Sequence, residues 1–420
     1  MFKLVLHGGK KLSGRVSISG SKNATLPLMA ATLLARGHYT IENIPVLRDI
    51  NTMKQLLESI GVQVNFENHR MRIDSTDYGE LEAPYELVKK MRASIYVLGP
   101  LLAQNGYAKV SLPGGCAWGP RPVNFHLDGL RKMGATLTLT QGYIEARAKR
   151  LKGATITFDI PSVGATGNLM MAATLAEGQT IIENAAMEPE IANLAEFLNA
   201  MGARISGIGT NRLCIEGVRN LSPANGTVIP DRIEAGTFLV AGAITQGDVC
   251  VEQVRPEHVT AILSKLEDAG FAVEIKGDTI RLVADTRAKA VNVSTAVYPG
   301  FPTDMQAQWM ALMSVAEGTS VITDTIYLDR FAHVPELARL GANIHLDANV
   351  ATVHGVAELQ GATVMSTDLR ASASLILAGL VAKGRTDVLR IYHIDRGYEA
   401  IEKKLQALGA DIRRVRTEEF

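Results

Sequence analysis

Six stretches of the chain are apolar or small on nearly every side, and each runs for fourteen residues to a glycine. They are ATLPLMAATLLARG (24–37), ASIYVLGPLLAQNG (93–106), ATGNLMMAATLAEG (165–178), EAGTFLVAGAITQG (234–247), MQAQWMALMSVAEG (305–318) and ASASLILAGLVAKG (371–384). A helix of that kind is normally buried all round, and glycine is common just past a helix C-terminus. A second set of helices follows after a short strand and ends in LLESIG (to Gly61), LRKMG (to Gly134), FLNAMG (to Gly202), LEDAG (to Gly270), LARLG (to Gly341) and LQALG (to Gly409). These are amphipathic: in EPEIANLAEFLNAMG, Ile191, Leu194, Ala195 and Leu198 form one stripe while Glu196 and Asn199 face away. Alternating segments such as VQVNF (62–66) and ANIHL (342–346) come next and predict strands. Each unit reads strand, helix, strand, helix, strand, strand, and recurs about every 70 residues through all 420. The pattern predicts helices at the centre, with sheets and amphipathic helices outside. Single cores stop growing at about 250–300 residues, so six units predict two domains of three.

Composition narrows the function. Lys+Arg and Asp+Glu balance at 43 each, which is not the basic excess of a protein that grips nucleic acid non-specifically. Aromatic residues are 5% against 47% apolar in all, so the core is built from small, closely packed side chains. Cys116, Cys214 and Cys250 form no close pairs, which argues against a disulfide framework or a zinc site. The longest apolar stretch, near 93–103, is too short to span a bilayer, and the first residues make no signal sequence. A soluble cytoplasmic protein is expected.

The residues that open the buried helices carry the chemistry. Lys22, Arg92, Arg232 and Arg370 place a cation at four of the six starts, where the helix dipole disfavours positive charge. The amphipathic set repeats this: Arg48, Arg121 and Arg396 each lie thirteen residues before their closing glycine, with Arg255 and Arg330 close to the same place. Such cations make sense beside an anion held by side chain and free backbone N–H groups together. The other account is solvated surface arginines, or partners for Asp49, Asp329 and Asp395. Taken as a set, the cations predict a ligand with several negative charges.

The segment SLPGGCAWGPRP (111–122) is the most irregular in the chain and predicts a functional loop. Cys116 sits five residues from Arg121, and cations lower a thiol pKa, so Cys116 reads as reactive. Cys214 and Cys250, in strand-like runs, read as inert. His126 is near the loop in sequence, but spacing alone makes no Cys–His dyad. No P-loop is present, and GIGTNR (207–212) lacks the third glycine of a dinucleotide fingerprint and fits a hairpin turn. Asp304 is a carboxylate where the other starts favour cations. It fits a plain N-cap, or an ionised group that orients a hydroxyl or acts as a general base.

The motifs SGSKNA (19–24), KMRASIYVLGP (90–100), LPGGCAWGPRPVNFH (112–126), SVGAT (162–166), PDRIEAGTF (230–238), FPTDMQAQ (301–308), DRFAHVPEL (329–337), DLRASASL (368–375) and YHIDRGYE (392–399) cover all six units. Through them the chain resembles the enolpyruvyltransferases, and within them the members that use UDP-N-acetylglucosamine. The resemblance implies a two-domain inside-out α/β barrel of six βαβαββ units, divided into 22–229 and 1–21 plus 230–420. It implies transfer of the enolpyruvyl group of phosphoenolpyruvate to the 3′-hydroxyl of UDP-N-acetylglucosamine, the first committed step of peptidoglycan synthesis, with no metal or organic cofactor.

By matching motif, Lys22, Arg121 and Arg396 would hold the phosphate of phosphoenolpyruvate, and Arg330, Arg370 and Arg396 its carboxylate. Asp304 would act on the sugar hydroxyl. Cys116 would donate a proton or serve product release, and would be alkylated by fosfomycin. Asn23, Arg92, Arg121, Pro122, Val123, Asn124, Phe125, Ser162, Val163, Gly164 and Ile326 would cradle the nucleotide sugar, and Ile160, Pro161 and Arg232 would complete the substrate-binding set. The chain has GSKN where GAKN is usual, RPVNFH for RPVDLH, and its own Ile160-Pro161. The nearest rival is the sister enzyme acting on shikimate 3-phosphate, whose lysine motif normally reads SKS. A ring-shaped DNA clamp also uses six α/β repeats, but helices this apolar do not line a wet pore.

Overall fold

A computed structural model describes residues 1–112 and 123–418. Among them the strands form six four-stranded sheets. The third repeat is representative. Strand Thr155–Thr157 leads into helix Val163–Ala173, which returns to strand Gln179–Glu183, paired parallel to the first. Helix Pro189–Ala200 follows, and the hairpin Arg204–Ser206/Arg212–Glu216 completes the sheet antiparallel to Gln179–Glu183. Gly207 and Gly209, both at positive φ, turn that hairpin, so the glycine pair at 207–209 is a turn and not a dinucleotide loop.

The chain divides into two compact units, one continuous (20–229) and one discontinuous (1–19 with 230–420). Strand exchange explains the division. Ser13–Ser17 pairs parallel with Asp248–Glu252 and so opens the fourth repeat. Gly226–Thr227 pairs parallel with His38–Glu42 and opens the first. Phe2–His7 lies antiparallel between Arg385–Leu389 and Asp411–Arg416, completing the sixth sheet.

Each unit has helices inside and sheets outside. In Arg232–Ile244 every residue after the first is buried, and Leu369–Gly379 is buried throughout. The outer helix Arg48–Ile60 buries only Asp49, Ile50, Thr52, Met53, Leu56, Leu57 and Ile60, an i, i+3, i+4 stripe. All six glycines that close the outer helices sit at positive φ, between 88° and 105°, a conformation glycine adopts without steric cost.

The inner helices depart from the sequence reading in how they end and begin. Only Gly106 caps its helix directly; the other α-helices stop several residues before their glycine. Hydroxyl side chains account for four of these ends: Thr32 and Thr174 donate to Met29 O and Met171 O, and Thr245 and Ser314 to Ala241 O and Met310 O. A hydroxyl that takes a terminal carbonyl releases the backbone from the next helical bond. The second inner helix starts as a 3-10 turn, Arg92–Val97, and becomes α-helical only at Leu98. Pro100, which has no N–H to give, fits the first turn there. No helix of the described residues is long and apolar enough to cross a membrane.

Candidate active site

In the discontinuous unit two of the sequence-predicted cations, Arg330 and Arg370, meet at Asp304. This residue lies in the 3-10 turn Thr303–Met305 that opens helix Gln306–Met313. Arg330 Nη1 donates to Asp304 Oδ1 at 2.7 Å and Arg370 Nη2 to Oδ2 at 2.8 Å. The arginine side chains are only 9% and 4% exposed, while Asp304 keeps 26% of its side chain in solvent. Burial alone would raise the Asp304 carboxyl, but Arg370 and Arg330 outweigh it and hold it well below the usual carboxylate range. Two buried guanidiniums thus share one carboxylate, with Asp231 also acting on Arg370 and Asp368 on Arg330. Asp304 is therefore no N-cap: it is an ionised group facing two cations.

Supporting groups fix this clamp. Thr303 Oγ1 accepts from Arg330 Nη1 at 3.1 Å and donates to the fully buried Asp324 at 2.7 Å. Asp324 also accepts the backbone N–H groups of Ile326 and Tyr327 at 3.0 and 2.9 Å, shaping the turn that carries Ile326. Arg396 ends the 3-10 helix Ile391–Arg396, five residues before helix Ile401–Ala407, rather than opening that helix. Its neighbour Asp395 is bound by Arg414 at 2.7 and 3.0 Å. Arg232 heads helix Arg232–Ile244 with its guanidinium 5.6 Å from the Tyr298 ring centre.

In the continuous unit Lys22 is the first residue of helix Lys22–Ala31, and its ammonium lies 3.4 Å from Asp49. That pairing is one of those left open by the sequence. Asn23 follows it, half-buried. Ser162, Val163 and Gly164 open helix Val163–Ala173, next to half-buried Pro161 and the 65%-exposed Ile160. Val123 precedes helix Asn124–Lys132, where Asn124 is exposed and Phe125 packs 5.7 Å from Phe158. Cys116, Arg121 and Pro122 lie outside the described residues.

His126 contributes something that spacing did not reveal. The Asn168 carboxamide accepts from Gly99 N (2.8 Å) and donates from Nδ2 to Ile95 O (3.0 Å) and toward His126 Nδ1 (2.9 Å). Nδ1 is then an acceptor, so the proton of the neutral ring sits on Nε2. Burial, reinforced by Arg92, lowers the His126 pKa to about 4. The ring therefore stays neutral at physiological pH. Nε2 lies against Gly164, where an added Cβ would come within 3.4 Å.

One expectation needs correction. Free backbone N–H groups at the cationic helix starts are partly taken by the chain's own caps. Ser21 accepts from Ala24 N, Asp231 from Ile233 N and Glu234 N, and Asp368 from Arg370 N and Ala371 N. The capping residue precedes the cation in the chain, so the cation occupies the first turn. Fewer backbone N–H groups are then open there than at an uncapped helix start.

The family model for EPSP synthase (3-phosphoshikimate 1-carboxyvinyltransferase) matches residues 6–405. The chain belongs to this family. A relative from Geobacter metallireducens named UDP-N-acetylglucosamine 1-carboxyvinyltransferase is 58% identical over 99% of this chain and 100% of its own. One of the same name from Chlorobaculum parvum is 59% identical over 100% of both. Among solved structures, the enolpyruvyl transferase NikO from Streptomyces tendae superposes with a TM-score of 0.88 at 27% identity, covering 99% of each chain. The six-repeat α/β architecture is the fold of these enzymes. Among the described residues no group of three His, Cys, Asp or Glu is placed to hold a metal ion.

Proposed function

We propose that the chain transfers the enolpyruvyl group of phosphoenolpyruvate to the 3′-hydroxyl of UDP-N-acetylglucosamine, releasing phosphate, in the cytoplasm as the first committed step of peptidoglycan synthesis. The clamp of Arg330 and Arg370 on Asp304 carries this reading, in a chain whose full-length relatives at 58% and 59% identity bear that enzyme's name. Those relatives favour the nucleotide sugar over shikimate 3-phosphate as acceptor.

In this mechanism Arg330, Arg370 and Arg396 take the donor carboxylate, and Lys22, Arg121 and Arg396 its phosphate. Cys116 supplies a proton to C3 of the enol, or serves product release, and is the site of fosfomycin alkylation. The electrophilic C2 is attacked by the sugar hydroxyl, giving a tetrahedral phospho-ketal. Loss of a C3 proton and of phosphate restores the double bond. Catalysis is then positioning, proton transfer and charge neutralisation, supplied by the chain without a cofactor. Asn23, Arg92, the segment 121–125, the segment 160–164, Arg232 and Ile326 hold the nucleotide sugar.

The resting clamp makes Asp304 a weak base, since both arginines stabilise its ionised form. When the donor carboxylate draws on the same guanidiniums, Asp304 loses part of that stabilisation and its basicity rises. Donor binding would thus prepare Asp304 to take the proton of the acceptor hydroxyl. The test is phosphate release from phosphoenolpyruvate. Release with UDP-N-acetylglucosamine but not with shikimate 3-phosphate is expected; the reverse overturns the reading.

A further inference from the structure

Three inner helices of the discontinuous unit each send one polar side chain to a single buried oxygen. Thr237 comes from helix Arg232–Ile244, Gln308 from Gln306–Met313 and Arg370 from Leu369–Gly379. They meet at the hydroxyl of Tyr398, which is 2% exposed. Arg370 Nη1 and Gln308 Nε2 each lie 3.2 Å from that oxygen, and Thr237 Oγ1 lies 2.8 Å from it.

The direction of the Tyr398–Thr237 bond follows from the neighbouring donors. Thr237 donates its only hydroxyl proton to Ile233 O at 2.7 Å, so Tyr398 donates to Thr237. Gln308 must present its NH2 group, because Nε2 also donates to the backbone carbonyl of Asp304 at 2.9 Å. The Tyr398 oxygen therefore gives one hydrogen bond, accepts one from Arg370, and shares the second Gln308 Nε2 hydrogen with Thr237 Oγ1, which lies at the same 3.2 Å. A hydroxyl held in this way cannot rotate to a new partner without leaving a buried group unpaired.

We propose that Tyr398 is a positioning residue for the donor-binding arginine Arg370. Its hydroxyl fixes one edge of the guanidinium, Nη1, so that Nη2 faces Asp304. Through Gln308 the same oxygen is tied to the main chain of Asp304, so both partners of the ion pair take their places from one atom. This inference rests on the carboxyvinyltransferase reading above only for the identity of the anion, phosphoenolpyruvate.

Tyr398→Phe removes that atom and keeps the ring. Steady-state phosphate release with UDP-N-acetylglucosamine should give a KM for phosphoenolpyruvate raised about tenfold to a hundredfold, the worth of a hydrogen bond to a charged group. The KM for UDP-N-acetylglucosamine should stay within about twofold, since Arg370 serves the donor. Thr237→Val, which removes the acceptor of the Tyr398 proton, should raise the donor KM less, and Thr237→Ser should restore it. An unchanged donor KM in Tyr398→Phe overturns the proposal. So does an equal loss for both substrates together with a lowered melting temperature, which would mark a structural role alone. Calorimetric titration of wild type and Tyr398→Phe with phosphoenolpyruvate alone separates the two readings. If the wild type shows no turnover, the proposed reaction fails, while weaker donor binding by the variant still supports the role of Tyr398 and equal binding refutes it.

Discussion

Replacing Asp304 by Asn preserves the shape of the side chain and removes its charge, leaving Arg330 and Arg370 without the carboxylate now 2.7 and 2.8 Å away. Removing one partner of a buried pair costs about 3–5 kcal/mol. Asp304 keeps 26% of its side chain in solvent, which places the loss at the lower end, about 3 kcal/mol. Trp309 is fully buried in the same unit, so its fluorescence in a urea titration follows that unit when Trp118→Phe is the background. The midpoint should fall with the slope unchanged. Saturating phosphoenolpyruvate should stabilise Asp304→Asn more than the parent, because its carboxylate supplies the missing negative charge. The pH dependence has a definite sign. Asp304 titrates lower when folded than when unfolded, so its contribution is complete above the usual carboxylate range and disappears as pH falls through that range and below. The gap between parent and variant should therefore close in acid. A midpoint change worth less than about 0.5 kcal/mol at pH 7, or a gap that persists unchanged in acid, would refute the account of the clamp.

Neutral His126, at about 4 against an ordinary 6.5, makes the continuous unit bind fewer protons folded than unfolded between those values. It should lose about 3 kcal/mol as pH falls from about 6.5 to about 4, and His126→Gln should flatten that limb in urea titrations at the two pH values. Gly99→Ala would place a Cβ 2.3 Å from Asn168 Oδ1, breaking the bond that orients the carboxamide. A loss of about 3 kcal/mol is expected, with an altered His126 titration by NMR; an unshifted titration would show that Asn168 does not set the tautomer. Fosfomycin should add mass to wild type but not to Cys116→Ala, and a retained adduct in that variant rejects the assignment. Cys214 and Cys250 should stay unlabelled, the Cys250 thiol being pushed up by burial.

The repeat was readable because its glycines perform one backbone task six times. The outer-helix glycines are all left-handed, and among the inner set only Gly247 is not, Gln246 taking the position at φ 51°. Apolar periodicity separated inner from outer helices for the same reason, since burial on every side and burial on one stripe leave different patterns. The charged residues were legible as a class: Arg330 and Arg370 do meet Asp304. Their partners were not. Thr237, Gln308 and Asn168 are polar residues within apolar helices, and that irregularity was their only signal in the sequence. Asp324 and Tyr398 act through contacts 21 to 161 positions away in the chain, which no local pattern encodes. The capping residues Ser21, Asp231 and Asp368 were visible in the motifs, yet a cation after a cap and a cation before a helix read alike until the dihedral angles are known.

A ribosome makes strand Phe2–His7 long before either of its neighbours, Arg385–Leu389 and Asp411–Arg416, which lie hundreds of residues further along the chain. At about 5–20 residues per second the wait is roughly 20–80 s. Ser13–Ser17 likewise waits for Asp248–Glu252. Residues 20–229 carry all their own strands and can complete their sheets in the meantime. During that interval the leading segment is an unpaired edge, open to strands of other chains. Lys3, Lys10, Lys11 and Arg15 punctuate it, and such charges are what discourages edge-to-edge association.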